Sequence, residues 1–370
     1  MFCVALEFNC ARGTASPKIR LNLMTPSHRG TASPQHKGQS GENRPIQAGP
    51  AQSPRGLRTF RAKLLAWYDA NKRDLPWRVT KDAYCIWLSE IMLQQTRVAV
   101  VKEYYPRFLK RFPTLAALAA ARVSSVLAAW SGLGYYRRAR ALHAASRVVA
   151  RKLEGRFPRT AEELRALPGV GAYTAAAVAS IAFDQPVAVV DGNVERVLTR
   201  LFGGTFETAT VWKRARELLD AARPGDFNQA MMELGATLCL PRQPLCESCP
   251  VYRWCVTRGE FGEKAVQSRK KSFVRYCLAR SNGSVFLVRR PGDASLMAGM
   301  WELPELTGQA EETANGFKVR HSITVTDYAV EVVSGEPPLS ASGRWVPVTR
   351  VTRLPLTGLT RKIFRHAGII

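Results

Sequence analysis

A chain of 370 residues is long for one domain, and two domains plus a tail are expected, with 46% hydrophobic residues to form the cores. Lys and Arg number 54 against 29 Asp and Glu, a net charge of +25, and residues 57–258 alone carry an excess of 14, so the basicity is not confined to a tail. A folded region this basic is drawn to a polyanion such as nucleic acid, although a plain solvated surface has the same composition; no apolar run approaches the roughly 18 residues of a membrane span, so no membrane partner is expected.

Residues 1–56 are rich in Pro, Gly, Ser, Gln and Arg, and repeat Arg12-Gly-Thr-Ala-Ser-Pro17 as Arg29-Gly-Thr-Ala-Ser-Pro34. Such a segment buries too little surface to offset its chain entropy, which predicts a disordered basic tail with no assigned function. An organelle transit peptide and a start codon placed too early are both open readings of it.

Residues 57–258 place apolar side chains at three- and four-residue spacing, as in Phe60–Tyr68, Tyr84–Val98 and Val211–Ala222, with Pro76, Pro113, Pro158, Pro168 and Pro224 as breakers. A helical domain is predicted. Two acids stand out within it. Glu90 lies in an otherwise uncharged helix expected over Ile86–Thr96, where burial raises a carboxyl pKa and favours a proton donor. Asp191 follows the apolar, strand-like run Val187–Val190 and precedes Gly192-Asn193-Val194, a place that suits a helix N-cap as well as a reacting carboxylate.

Between these acids, Thr160-Ala-Glu-Glu163 is a capping box, Leu167-Pro-Gly-Val-Gly171 a tight turn, and Ala172–Ala182 a new helix. Gly169 and Gly171 let a ligand approach the backbone, and the helix N-terminus offers unpaired N–H groups, which together make a phosphate site indifferent to base sequence. An ordinary helix–helix turn is the plainer alternative.

Of the eight cysteines, Cys239, Cys246, Cys249 and Cys255 crowd into 17 residues, a metal-ligand distribution that points to a reducing compartment, the cytoplasm. Four thiolates hold either structural zinc or an iron–sulfur cluster, and zinc usually takes two Cys-x2-Cys knuckles where only one is present. Arg242, Arg253 and Arg258 share this loop and suit phosphate.

After Arg269-Lys-Lys271 the texture changes. Val274–Arg280 and Ser284–Arg290 read as two strands around an Asn282-Gly283 hairpin turn, with Val319–Thr326, Ala329–Val333 and Arg344–Val348 as further strands. The expected organisation is therefore a tail over 1–56, a mainly α domain over 57–258, a linker over 259–272 and a smaller α+β domain over 273–370.

The cysteine spacing and the Leu167–Gly171 hairpin resemble the iron–sulfur loop and helix-hairpin-helix of the endonuclease III superfamily of DNA glycosylases. Leu88-Ser-Glu-Ile-Met-Leu-Gln-Gln-Thr96, Gly132-Leu-Gly-Tyr-Tyr136 and Val190-Asp-Gly-Asn-Val194 occur in the order of its adenine-excising MutY branch. The resemblance covers roughly residues 57–258. It implies a 4Fe-4S cluster on the four cysteines, and a monomer acting on double-stranded DNA that contains adenine mispaired with 8-oxoguanine or guanine. It also implies Glu90 as general acid and water activator, Asp191 as stabiliser of the cationic sugar with Asn193 orienting it, and Tyr173 lining the pocket. Gln94, Gln95 and Tyr135 would contact DNA, the last two as wedges, along with Gly169 and Gly171, while Glu233 would support the pocket from behind. Where the bifunctional branch carries a Schiff-base lysine, this chain has Tyr173, which implies base hydrolysis with little or no strand cleavage. A bifunctional glycosylase/lyase and a non-catalytic iron–sulfur DNA-binding protein are the runner-up readings.

Leu296-Met-Ala-Gly-Met-Trp-Glu-Leu-Pro304 resembles part of the Nudix-like domain that reads 8-oxoguanine in MutY proteins, without the glutamate-rich motif of pyrophosphate hydrolases. The family's Phe-Ser-His stands here as Ile323-Thr324-Val325, so Thr324 keeps a hydroxyl for DNA contact but the histidine is missing.

Overall fold

A computed structural model describes residues 53–259, 269–306, 316–323 and 325–370. The tail over residues 1–52, most of the expected linker and Thr324 lie outside the described residues. The first helix, α1 (Pro54–Asn71), starts three residues ahead of the expected boundary, because Ser53 accepts a hydrogen bond from the Gly56 N–H and Pro54 occupies the first turn.

Ten further helices follow: α2 (Ala83–Leu93), α3 (Val98–Arg111), α4 (Leu115–Ala120), α5 (Val123–Trp130), α6 (Tyr136–Lys152), α7 (Ala161–Arg165), α8 (Ala172–Phe183), α9 (Gly192–Phe202), α10 (Thr208–Leu218) and α11 (Pro224–Thr237). Where one helix was expected to continue through Gln94–Thr96, the chain instead turns between α2 and α3, with Gln95 in the left-handed region at φ 55°. The strand-like run at 187–190 forms no strand; the first strand among the described residues is at Lys270.

The helices enclose two cores. One gathers Trp87, Trp130, Phe108 and the alanines of α8; the other gathers Phe60, Leu64, Tyr68, Leu198 and Phe227 around α1, α9 and α11. The nearly all-apolar α2 and α8 are buried on most of their faces, as uniformly hydrophobic helices must be. They pack on each other, and this contact brings Glu90 of α2 to Tyr173 of α8.

The C-terminal region is α+β. Strands β1 (Lys270–Leu278), β2 (Arg280–Ser281), β3 (Ser284–Arg289), β4 (Trp301–Glu302), β5 (Gly316–Ile323), β6 (Thr326–Ser334) and β7 (Gly343–Pro347) precede the helices α12 (Val348–Val351) and α13 (Gly358–His366). They form two sheets, β1-β6-β5 and β2-β3-β4 with β7 on β3. The expected hairpin is only partly present. Asn282 and Gly283 turn as foreseen, both at positive φ, but of the expected first strand only its last residues, β2, pair with β3. Before that turn β1 leaves to pair in parallel with β6, Tyr276 facing Val332. Local turn chemistry set the bend, and a pairing about 55 residues away took the strand.

The two regions pack as one compact unit. Met300 is fully buried among the side chains of the first helical core. Ser131 Oγ and the Tyr136 hydroxyl donate to Leu356 O at 2.9 and 3.2 Å, and Arg361 donates to Ser131 O at 3.0 Å.

Candidate active site

Glu90 projects from the middle of α2 and is 5% exposed. The Tyr173 hydroxyl, from the first turn of α8, donates to Glu90 Oε2 at 2.6 Å and lies 3.6 Å from Met232 Sδ. Burial pushes the Glu90 carboxyl up to about 7; the bond from Tyr173 and the charge of Arg78 pull it down, and the charge of Asp191 pushes it up. A carboxyl that titrates near neutrality can hold a proton and give it away. Burial also raises Tyr173 well above the ordinary tyrosine value, so it remains a hydroxyl donor.

Asp191 fills the first of the two roles that its sequence position allows. It is the N-cap of α9: Oδ1 accepts from the Asn193 and Val194 N–H groups at 2.9 and 2.7 Å. Its Oδ2 accepts from Asn193 Nδ2 at 2.9 Å. Burial raises its pKa, and these three donors oppose the rise by favouring the charged form. Asn193 is itself held by Arg196, which donates to Asn193 Oδ1 at 2.8 Å and to Gly235 O at 2.7 Å. Helix α11 can approach this closely because position 235 has no Cβ; one there would lie 2.7 Å from Asn193 Cβ.

Glu233, from α11, is buried and ionised. Arg73 donates to both its oxygens, at 2.7 and 2.8 Å, and Arg78 donates at 2.8 Å. Burial would raise its pKa, but these bonds outweigh it and hold the carboxyl at about 2. Sequence reasoning missed both arginines. The Pro76-Trp77-Arg78 run was visible, but its charge meets Glu233 across 155 residues.

The three residues expected to meet DNA near the α2 terminus sit in two turns that Arg138 touches. Gln94 Nε2 donates to Thr174 Oγ1 at 3.0 Å, whereas Gln95 is exposed. Tyr135 is 42% exposed with φ 47°, and Tyr136 is buried, so the two adjacent aromatics divide into a surface residue and a core residue. Arg138, another residue that sequence reasoning passed over, lies between the two turns.

The hairpin turn is shaped as its glycines require. Gly169 has φ 76°, and a Cβ there would collide with Ala141 of α6. Gly171 is exposed with open space beside it, and it caps α8 without a side-chain partner. The N–H groups of that first turn thus face no protein cap.

The four cysteines line one cavity with Leu238, Pro244, Leu245 and Tyr252. The loop docks on α9: Val256 N donates to Leu201 O and Thr257 N to Arg200 O. Buried Arg200 donates to Cys239 Sγ at 3.2 Å. Burial raises the pKa of Cys246 and takes that of Cys249 to about 12. Among the described residues no group of three or more His, Cys, Asp and Glu side chains is placed to hold a metal ion. Four sulfurs spread round a cavity beside a buried cation suit a larger, anionic group. Arg196 also donates to Cys239 O at 2.9 Å, so the same side chain touches the cysteine loop and the Asp191–Asn193 pair.

The model of the HhH-GPD superfamily of base excision DNA repair proteins matches residues 88–221. The chain is 43% identical over 317 residues to the adenine DNA glycosylase of Mus musculus, covering 68% of this chain and 61% of that one. It is 35% identical over 318 residues to the adenine DNA glycosylase of Schizosaccharomyces pombe, covering 67% and 69%. A solved thermostable thymine-DNA glycosylase superposes with a TM-score of 0.51 at 34% identity, covering 54% of this chain and 94% of that one. The chain spans about three fifths of the mouse relative's length. It belongs to the HhH-GPD superfamily of base excision DNA repair proteins and, within it, to the adenine DNA glycosylase family.

Proposed function

We propose that this chain is a monofunctional DNA glycosylase that hydrolyses the N-glycosidic bond of adenine mispaired with 8-oxoguanine or guanine in duplex DNA. The observation that carries it is the buried Glu90 carboxyl, titrating near 7 and within the field of a capped Asp191. Protonated Glu90 gives its proton to the purine, the C1′–N9 bond breaks with both electrons leaving on the base, and the sugar becomes cationic. Ionised Asp191, fixed by its three donors, offsets that charge. Glu90, now a carboxylate, accepts a proton from the water that attacks C1′. Tyr173 has no amine for a Schiff base, so strand cleavage is not expected.

The base must first leave the stack, which costs a few kcal/mol and calls for residues that fill the gap. Gln95 and Tyr135 take that role, with Gln94 beside them, and the Gly169–Gly171 turn holds phosphate. Thr324 is assigned to the lesion base from its sequence position alone. Cys239, Cys246, Cys249 and Cys255 hold a 4Fe-4S cluster, which when bound ties the loop together and presents the exposed Arg242, Arg253 and Arg258 to the DNA backbone.

The test is base release from duplexes carrying A opposite 8-oxoguanine, G or C, with borohydride trapping in parallel. Adenine release from the first two without a trapped adduct is expected. No release from any duplex would overturn the activity, and a stable adduct would favour the bifunctional alternative.

A further inference from the structure

Helix α2 ends at Leu93 with carbonyls that no residue of its own can satisfy. Arg138, one turn into α6, satisfies them. Its NH1 donates to Ile91 O at 2.9 Å, to Met92 O at 3.0 Å and to Gln94 O. Its NH2 donates to Thr96 Oγ1 at 3.0 Å, and reaches Gly134 O and Leu133 O at 3.3 and 3.4 Å in the other turn. The guanidinium also faces the rings of Tyr135 and Trp130, at 5.4 and 5.5 Å, and Trp130 is fully buried.

Each of the two turns contains one exposed non-glycine residue in the left-handed region, Gln95 at φ 55° and Tyr135 at φ 47°. Such backbone costs of order 1 kcal/mol and persists only where the surroundings over-determine it. Every hydrogen-bond acceptor of Arg138 given above is a neutral carbonyl or hydroxyl, and no carboxylate is among them. A part-buried cation with no counterion among the described residues is an expensive way to cap one helix. A planar fork, by contrast, is suited to span two turns at once, which a lysine cannot do.

We propose that Arg138 is a positioning residue that locks the Gln94–Thr96 turn to the Gly132–Tyr135 turn, so that Gln95 and Tyr135 enter the duplex as one rigid wedge. This rests on the wedge role given to those two residues under the proposed function. Removing the lock lets each turn relax independently, and base extrusion suffers while the chemistry at Glu90 is untouched.

The experiment is a mutant cycle read in two ways on an A:8-oxoguanine duplex with 2-aminopurine beside the target: unstacking fluorescence, and single-turnover adenine release at saturating enzyme. Arg138→Met is expected to lose on the order of 10²-fold in release, with a matching loss of the unstacking signal. In a Gln95→Ala/Tyr135→Ala background the same change should cost less than about 3-fold, since Arg138 acts through those residues. Arg138→Lys keeps the charge but not the fork, and it should behave like Arg138→Met; it also replaces that variant if the methionine form does not fold. Equal losses in both backgrounds, or a Lys variant with wild-type unstacking, would overturn the proposal. If the wild type unstacks the base without releasing adenine, the proposed chemistry is wrong and the fluorescence still decides Arg138. If it does neither, both readings fall.

Discussion

The Tyr173 hydroxyl donates to Glu90 Oε2 at 2.6 Å, joining the first turn of α8 to the middle of α2. The bond favours the charged carboxylate against a burial that disfavours it, and so sets where Glu90 titrates. Tyr173→Phe removes that stabilisation. The Glu90 pKa should rise above about 7, and the alkaline limb of the pH–rate profile for adenine release should move to higher pH. A limb that stays in place would mean that Glu90 is not the group being read.

Glu90→Gln should lower adenine release by at least about 10²-fold and also make the protein more stable at high pH. In the unfolded chain Glu90 releases its proton near 4.5, and in the folded protein near 7. Its protonated form therefore contributes stability that is complete below 4.5 and lost as pH rises through about 7. At pH 8 glutamine avoids a penalty on the order of 3 kcal/mol, so the variant should melt higher than wild type there and together with it at pH 4. Equal melting temperatures at both values would contradict the burial argument.

Glu233 has the opposite sign. Its carboxyl is held at about 2 by Arg73 and Arg78, so its stabilisation is present above the ordinary carboxyl value and lost as pH falls through about 2. Glu233→Ala leaves Arg78, whose side chain is 13% exposed, beside an empty place. A loss of about 3–5 kcal/mol in urea unfolding at pH 7 is expected, and the difference from wild type should shrink at pH 3. A penalty that is constant with pH would show that packing, not charge, is what was removed.

Cys249→Ser removes one sulfur from the cavity wall. The purified variant should hold less iron and acid-labile sulfide than wild type by chemical analysis, and bind undamaged duplex more weakly. If iron and sulfide are unchanged, the four cysteines are not the ligand set; zinc in place of iron in the wild type would point to the other four-thiolate site.

Several features were legible because they depend on neighbours along the chain. The capping box at Thr160, the Asn282-Gly283 turn, the burial of Glu90 in an uncharged helix and the cap at Asp191 all arise within a few residues. The clustering of four cysteines within 17 residues is of the same kind. What the chain could not disclose by itself are the partners brought together from far apart. Arg78 meets Glu233 across 155 residues, Arg138 meets Ile91 across 47, β1 deserts its hairpin for β6, and Met300 is buried in the first core of the helical region. A lone arginine in a basic chain carries no local mark of its purpose. Only the packing of α2 against α8 and α6 decides which charges are desolvated and which carbonyls need a donor. The sequence by itself thus determined which acids are present and that Glu90 is apolar in context, while the tertiary structure decided the hydrogen bond and the charges that tune it toward neutrality.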